Sequence, residues 1–136
     1  MPKVRVTRRV HFSAAHRLHN PSMSDDENRR VFGLCNLPNW HGHNYELDVT
    51  VEGEPDPATG YLVDLAVLRD LAGEVIDQLD HRNLNLDVPW LHGVIPSTEN
   101  LVVALWEQIA PRIPRGRLAR LVLWETPRNY AEYTGE

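Results

Sequence analysis

Three histidines and the only cysteine of this 136-residue protein fall within 28 positions: His16, Cys35, His41 and His43. His41 and His43 stand at i and i+2, which on a strand puts both imidazoles on one face. With His16 as a third donor, the set can hold one metal ion. Neutral imidazole suits zinc, and copper and nickel accept the same donors. Three protein donors leave a fourth position on zinc for water or substrate, the mark of a catalytic site. The competing reading is three polar side chains satisfied near a core.

Further residues could act beside that centre. Cys35 precedes His41 by six positions, among Asn36 and Asn39. An isolated cysteine is ordinarily a small buried hydrophobe. Near a cation or a histidine its thiol can serve as base or nucleophile. Asp80-His81 is either a carboxylate orienting an imidazole that activates Cys35 or a histidine at a helix C-terminus. Ser97-Thr98-Glu99-Asn100 is a helix start whose amides and hydroxyl could also hold a polar ring. Glu125 shares a phase with Leu121 and Leu123 and could point inward, where an amidine-like or guanidine-like ligand edge would pair with it bidentately. The alternative is a surface glutamate at a strand end. His19 falls in the opposite phase and reads as a surface residue.

These residues must be positioned by strands. Over 3–16, Val4, Val6, Val10, Phe12 and Ala14 share one phase, and Arg5, Thr7, Arg9, His11 and Ser13 share the other, with Arg8 interrupting the apolar phase. His16 ends that strand in the apolar phase. Residues 19–40 read as a long functional loop. A second strand spans 41–52, with His41, His43, Tyr45, Leu47, Val49 and Val51 in one phase. If the two strands pair antiparallel, the end of the first meets the start of the second and the three imidazoles converge. Residues 54–60 form a turn segment. Helices follow over 64–79, capped by Asp64, and 98–110, capped by Ser97. Residues 80–96 read as a loop between them, and two final strands follow at 117–125 and 129–134. The order ββααββ predicts a single α+β domain over 1–136, a four-stranded antiparallel sheet with two helices on one face. Its other face and edges need cover, so an oligomer is expected.

Composition bounds the function. Formal net charge is −5, which argues against bulk nucleic-acid or membrane binding. Seven of the 14 basic residues nevertheless lie in the first 30 positions, and they form either a pocket for a small polyanion or a solvated strand face. No apolar run approaches a membrane span, and the alternation of Val4, Val6 and Val10 with polar residues does not suit a signal peptide. One cysteine excludes an internal disulfide framework and fits a reducing cytoplasm.

Taken together, Phe12-Ser13-Ala14-Ala15-His16-Arg17-Leu18, Phe32-Gly33-Leu34-Cys35-Asn36, His41-Gly42-His43-Asn44-Tyr45, Leu79-Asp80-His81-Arg82-Asn83-Leu84, Ser97-Thr98-Glu99-Asn100 and Glu125-Thr126 with Tyr133-Thr134-Gly135-Glu136 resemble the 6-pyruvoyl-tetrahydropterin synthase family over nearly the whole sequence. The resemblance implies a tunnelling fold (T-fold), whose sheets close into a barrel in a homohexamer, a dimer of trimers, with active sites between subunits. It implies zinc on His16, His41 and His43. It implies Cys35 as general base, with Asp80 and His81 completing a relay supplied by a neighbouring subunit. Glu125 would anchor a pterin ring, helped by Thr98 and Glu99. The implied substrate is 7,8-dihydroneopterin triphosphate, with Mg²⁺ assisting and Arg8, Arg9 and Arg17 as candidate cations for the triphosphate. The implied product is 6-pyruvoyl-tetrahydropterin, on the way to tetrahydrobiopterin. The rival 6-carboxytetrahydropterin synthases of the queuosine pathway share fold, zinc site and substrate, but typically place Cys four residues before His-Gly-His. The six-residue step here favours the pyruvoyl chemistry. A non-catalytic pterin- or zinc-binding module is the alternative from another class. Two departures stand out: Trp40 where the family often has Gly, and Ser97 where it often has Thr. Trp40 could narrow the entrance to the site.

Overall fold

Alternation over residues 3–16 becomes a 13-residue strand, β1 (Val4–His16), in the computed structural model, which describes residues 2–136. Val10, Phe12, Ala14 and His16 are buried along one side of it. Arg5, Arg9 and His11 are exposed on the other. β2 (His41–Gly53) runs antiparallel to β1, with Val4 opposite Gly53 and His16 opposite His41. The expected meeting of strand ends is therefore present.

The stretch 19–40 differs from the expected loop. It contains α1 (Asp25–Phe32) and a 3-10 turn over Gly33–Asn36. Ser24 caps α1 by accepting the Glu27 N–H at 3.1 Å, and Gly33 ends it at φ +55. Asn28 is its one buried residue, so the helix has no apolar stripe for periodicity to reveal.

Two longer helices follow. α2 (Leu65–Ile76) starts at Asp64, whose carboxylate accepts the Ala66 N–H at 2.8 Å. α3 (Thr98–Ile109) starts at Ser97, whose hydroxyl accepts the Asn100 N–H at 3.2 Å. Leu68, Ala72 and Val75 of α2 and Leu101, Leu105 and Ile109 of α3 join Leu47, Val49, Leu121 and Leu123 in one core. Each large aliphatic residue among them stabilises the fold by roughly 1.5–3 kcal/mol by leaving water. Phe12 and Tyr45 stack within it, ring centroids 4.8 Å apart.

The sheet has five strands in the order β3-β1-β2-β4-β5, not the expected four. The addition is β3 (Arg82–Asn83), which pairs parallel to β1 through Ala14 and Ala15. Two residues are too few to show a period. β4 (Arg117–Thr126) and β5 (Asn129–Tyr133) complete the sheet. Against β2, Thr50 pairs with Arg120 and Val51 with Leu118, so Ala119 is bulged. Against β5, Trp124 pairs with Tyr130 and Thr126 with Asn129, which leaves Glu125 without a ladder partner. Bulges of this kind re-aim side chains. The exposed sheet face is crossed by ion pairs, Arg9–Asp48 at 2.6 Å and Arg5–Glu52 at 2.8 Å among them. Among the described residues, no helix is long and apolar enough to cross a membrane.

Candidate metal centre and adjoining cavities

Pairing of β1 with β2 brings His16 opposite His41 and Ala14 opposite His43. The three imidazoles then face one another, with ring centroids 4.5 Å (His16–His41), 5.1 Å (His16–His43) and 5.0 Å (His41–His43) apart. One donor atom from each lies within 4.8 Å of the other two. His16 is 1% exposed. Its Nδ1 stands 2.8 Å from the Pro96 carbonyl. A carbonyl can only accept, so Nδ1 carries the hydrogen and Nε2 keeps the lone pair. That second interaction is what fixes the tautomer of a ligating histidine.

His16 Nε2, His41 Nδ1 and His43 Nε2 are buried and have no hydrogen-bond partner. A buried orphan costs about 1–3 kcal/mol, and one ion among the three accounts for all of them together. The donor set thus fits a metal. Burial holds the His16 imidazole below its usual range, against the pull of the Pro96 carbonyl, and burial also lowers His41. Both rings therefore stay neutral, the form that binds metal.

Glu125, released from the ladder, joins the metal side to the cysteine side. Its Oε1 lies 3.6 Å from His43 Nε2, and its Oε2 accepts the Thr98 hydroxyl at 2.5 Å. It borders two hollows. One, of about 530 Å³, also takes in Arg9, His43 and Trp124. The other, of about 570 Å³, takes in Phe32, Cys35, Thr98, Glu99 and Tyr130. Either volume suits a small ring system.

Asp80 and His81 stand apart from Cys35. They are tied to β1, where the Ser13 N–H donates to Asp80 Oδ1 at 2.9 Å and the His81 N–H donates to the Ser13 carbonyl at 2.6 Å. The Ser13 hydrogen bond holds the Asp80 carboxyl below the usual range. Asp80 Oδ2 meets His81 Nδ1 at 3.0 Å, so the dyad is assembled. The His81 imidazole is 84% exposed and lines a different hollow with His43, Asn44 and Asp87. Cys35 and the His81 of this dyad thus line different hollows of this chain.

Arg17 and Glu125 line different hollows. The Arg17 Nε donates to the Asn36 carbonyl at 2.8 Å, and Arg17 borders a hollow of about 250 Å³ with Asp25 and Arg29. Arg9 is occupied by Asp48 and Glu46 and is not a free cation. His19 is half-buried rather than a surface residue, 3.0 Å from Asn36 Nδ2. Tyr45 was not among the expected site residues. It lies buried in phase with His43, its hydroxyl 3.4 Å from His16 Nδ1, and burial pushes its phenol far above the usual range. Its place two residues after His43 was the available signal. Trp40 takes φ +65, a conformation that favours glycine.

An α+β sheet carrying three histidines at the meeting ends of two antiparallel strands defines a class of protein with a three-imidazole site that can hold a metal ion. The 6-pyruvoyl tetrahydropterin synthase family model matches residues 5–136. The human 6-pyruvoyl tetrahydrobiopterin synthase is 47% identical over 135 residues, covering 98% of this chain and 93% of its own. The Caenorhabditis elegans 6-pyruvoyl tetrahydropterin synthase structure superposes with a TM-score of 0.95 at 40% identity, covering 100% of this chain and 98% of that one. A dihydroneopterin monophosphate aldolase of Pyrococcus furiosus is 33% identical over 127 residues, 90% of each chain. The chain belongs to the 6-pyruvoyl tetrahydropterin synthase family.

Proposed function

We propose that this protein is a zinc-dependent lyase that converts 7,8-dihydroneopterin triphosphate to 6-pyruvoyl-tetrahydropterin and triphosphate. The observation that carries the reading is the position of Glu125, which borders the metal centre on one side and the Cys35 cavity on the other. Its carboxylate accepts two N–H groups from the amidine edge of the pterin, and Thr98 and Glu99 help to seat the ring. His16, His41 and His43 would hold the zinc, which when bound would supply the positive charge that acidifies the neighbouring C–H of the substrate.

The Cys35 thiolate takes that proton. Triphosphate, accompanied by Mg²⁺, leaves with its bonding electron pair. Tautomer steps oxidise the substituent on the pterin to the dicarbonyl while the ring is reduced, so no external oxidant is needed. Asp80 holds His81 through Nδ1, which leaves Nε2 outward, and in the proposed homohexamer this dyad serves the Cys35 of a neighbouring subunit. Its separation from Cys35 within one subunit and the polar, uncovered sheet face support that arrangement. The same composition supports a cytoplasmic enzyme.

The test is zinc-loaded protein with 7,8-dihydroneopterin triphosphate and Mg²⁺, reading triphosphate release and product mass. A 6-pyruvoyl product supports the proposal. A 6-carboxy product assigns the queuosine-type chemistry instead. Carbon–carbon cleavage with triphosphate retained assigns an aldolase. No reaction with full zinc leaves a binding module. Cys35→Ala is expected to keep its zinc and lose turnover, as read by elemental analysis beside the rate; full activity in that variant removes Cys35 as the base.

A further inference from the structure

Cys35 sits on a turn that apolar packing does not hold. Leu34 is 80% exposed and Leu37 is 52% exposed. Gly33, Pro38 and Asn39 line the same turn without entering the core. A group that moves a proton needs a fixed place, since a misplacement of about 1 Å costs on the order of 10²-fold in rate.

The polar contacts of this turn converge on Asn36, which is 4% exposed. Its Nδ2 donates to the Leu18 carbonyl at 2.8 Å and lies 3.0 Å from His19 Nδ1. Its own carbonyl accepts from Arg17 Nε at 2.8 Å. One residue earlier, the Cys35 carbonyl accepts the Leu18 N–H at 2.8 Å. Leu18 is therefore held by both its backbone groups, one through the Cys35 backbone and one through the Asn36 carboxamide standing in for a peptide. The segment so held follows directly on the metal-facing His16. On the other side Asn85 grips Arg17 in the same manner, accepting its N–H at 2.9 Å and donating to its carbonyl at 2.8 Å.

We propose that Asn36 is a positioning residue for Cys35: its buried carboxamide straps the cysteine turn to the end of β1, so that the thiol and the three-histidine centre keep one separation. This rests on the reading of Cys35 as the base. Nothing in the chemistry of Asn36 requires contact with substrate. Its effect passes through the thiol, and loss of the strap lowers the rate of proton transfer without weakening substrate binding.

The experiment is a double-mutant cycle on zinc-loaded protein. Asn36→Asp keeps the volume and loses both N–H donors. It is expected to lower kcat about 10- to 100-fold, with KM within about twofold and zinc content unchanged. In a Cys35→Ala background the same substitution is expected to change the residual rate no further. Unchanged kcat in Asn36→Asp, a loss that tracks lost zinc, or an additive loss in the Cys35→Ala background each overturns the proposal. If Cys35→Ala by itself keeps full turnover, the base reading has failed and the strap falls with it, a result that the single Asn36 variant does not produce. Should Asn36→Asp not fold, hydrogen exchange of the Asn36 side-chain amide in the unaltered protein decides: its Nδ2 protons, held by the Leu18 carbonyl, are expected to exchange slowly, and exchange at the rate of a free carboxamide overturns the strap.

Discussion

Pro96 decides which nitrogen of His16 faces the other two imidazoles of the candidate metal centre. Its carbonyl takes the Nδ1 hydrogen, and Nε2 is left with a lone pair and no other partner. Burial then keeps His16 and His41 neutral below the pH at which free imidazole, near 6.5, gains its proton. The sign follows from linkage: when the folded pKa lies below the unfolded one, the unfolded state takes up more protons, and stability falls as pH falls. The metal-free protein is expected to lose thermal stability as pH drops from about 7.5 through the unperturbed imidazole value towards about 5. Zinc retention, read by elemental analysis after dialysis, should extend to more acid pH than unperturbed imidazoles allow. A retention midpoint at or above about 6.5 counts against neutral, buried ligands. Glu125 acts at the same scale. On the proposed reading its carboxylate makes charged hydrogen bonds, each worth about 1.5–3 kcal/mol. Glu125→Gln should therefore raise KM about tenfold or more with the zinc content intact. An unchanged Michaelis constant would remove Glu125 from pterin binding.

At the scale of elements, the turn into β4 depends on Gly116. It takes φ +73, and a Cβ there would stand 2.5 Å from the Glu52 carbonyl oxygen. Left-handed backbone costs any residue with a Cβ about 1–2 kcal/mol before any clash. Gly116→Ala is expected to destabilise the protein by about 2 kcal/mol or more, as a shift in the denaturant midpoint with unchanged slope; an unaltered midpoint would show that the turn relaxes. β4 matters because it delivers Glu125. The long strands and both core helices were legible in the sequence because each buries one face, and burial imposes a period. Phase counting also placed His16, His41 and His43 correctly, since a strand residue has only two directions to point. α1 left a fainter trace: Ser24 and Glu27 form a capping signature, but a helix with one buried residue has no stripe. β3 left none, and neither did the two bulges, which shift register by one residue without changing composition. Asp80-His81 was visible as a dipeptide, yet nothing local could say that Ser13 on β1 pins it away from Cys35. Trp40 was legible only as a departure from its relatives, and its φ of +65 supplies the physical content of that departure.

For the whole molecule, the decisive fact is that a single chain holds the parts of the proposed relay in separate hollows, Cys35 beside Glu125 and the Asp80–His81 dyad beside Asn44 and Asp87. If the dyad serves a neighbouring subunit, each site draws on two copies, and two inactive proteins can repair each other. Cys35→Ala supplies an intact dyad, and His81→Ala supplies an intact thiol. Subunits mixed one to one and reassembled at random place a sound thiol next to a sound dyad in about a quarter of the sites, because each condition is met about half the time. Unmixed variants have no complete site. The mixture is therefore expected to recover about a quarter of the activity of the unaltered protein, while each variant alone stays near its own background. A relay contained within one subunit predicts the opposite, because every subunit in the mixture has one defect. Activity that stays at the background of the two variants after verified subunit exchange would place the relay within one subunit, and the proposed assembly would lose its catalytic reason.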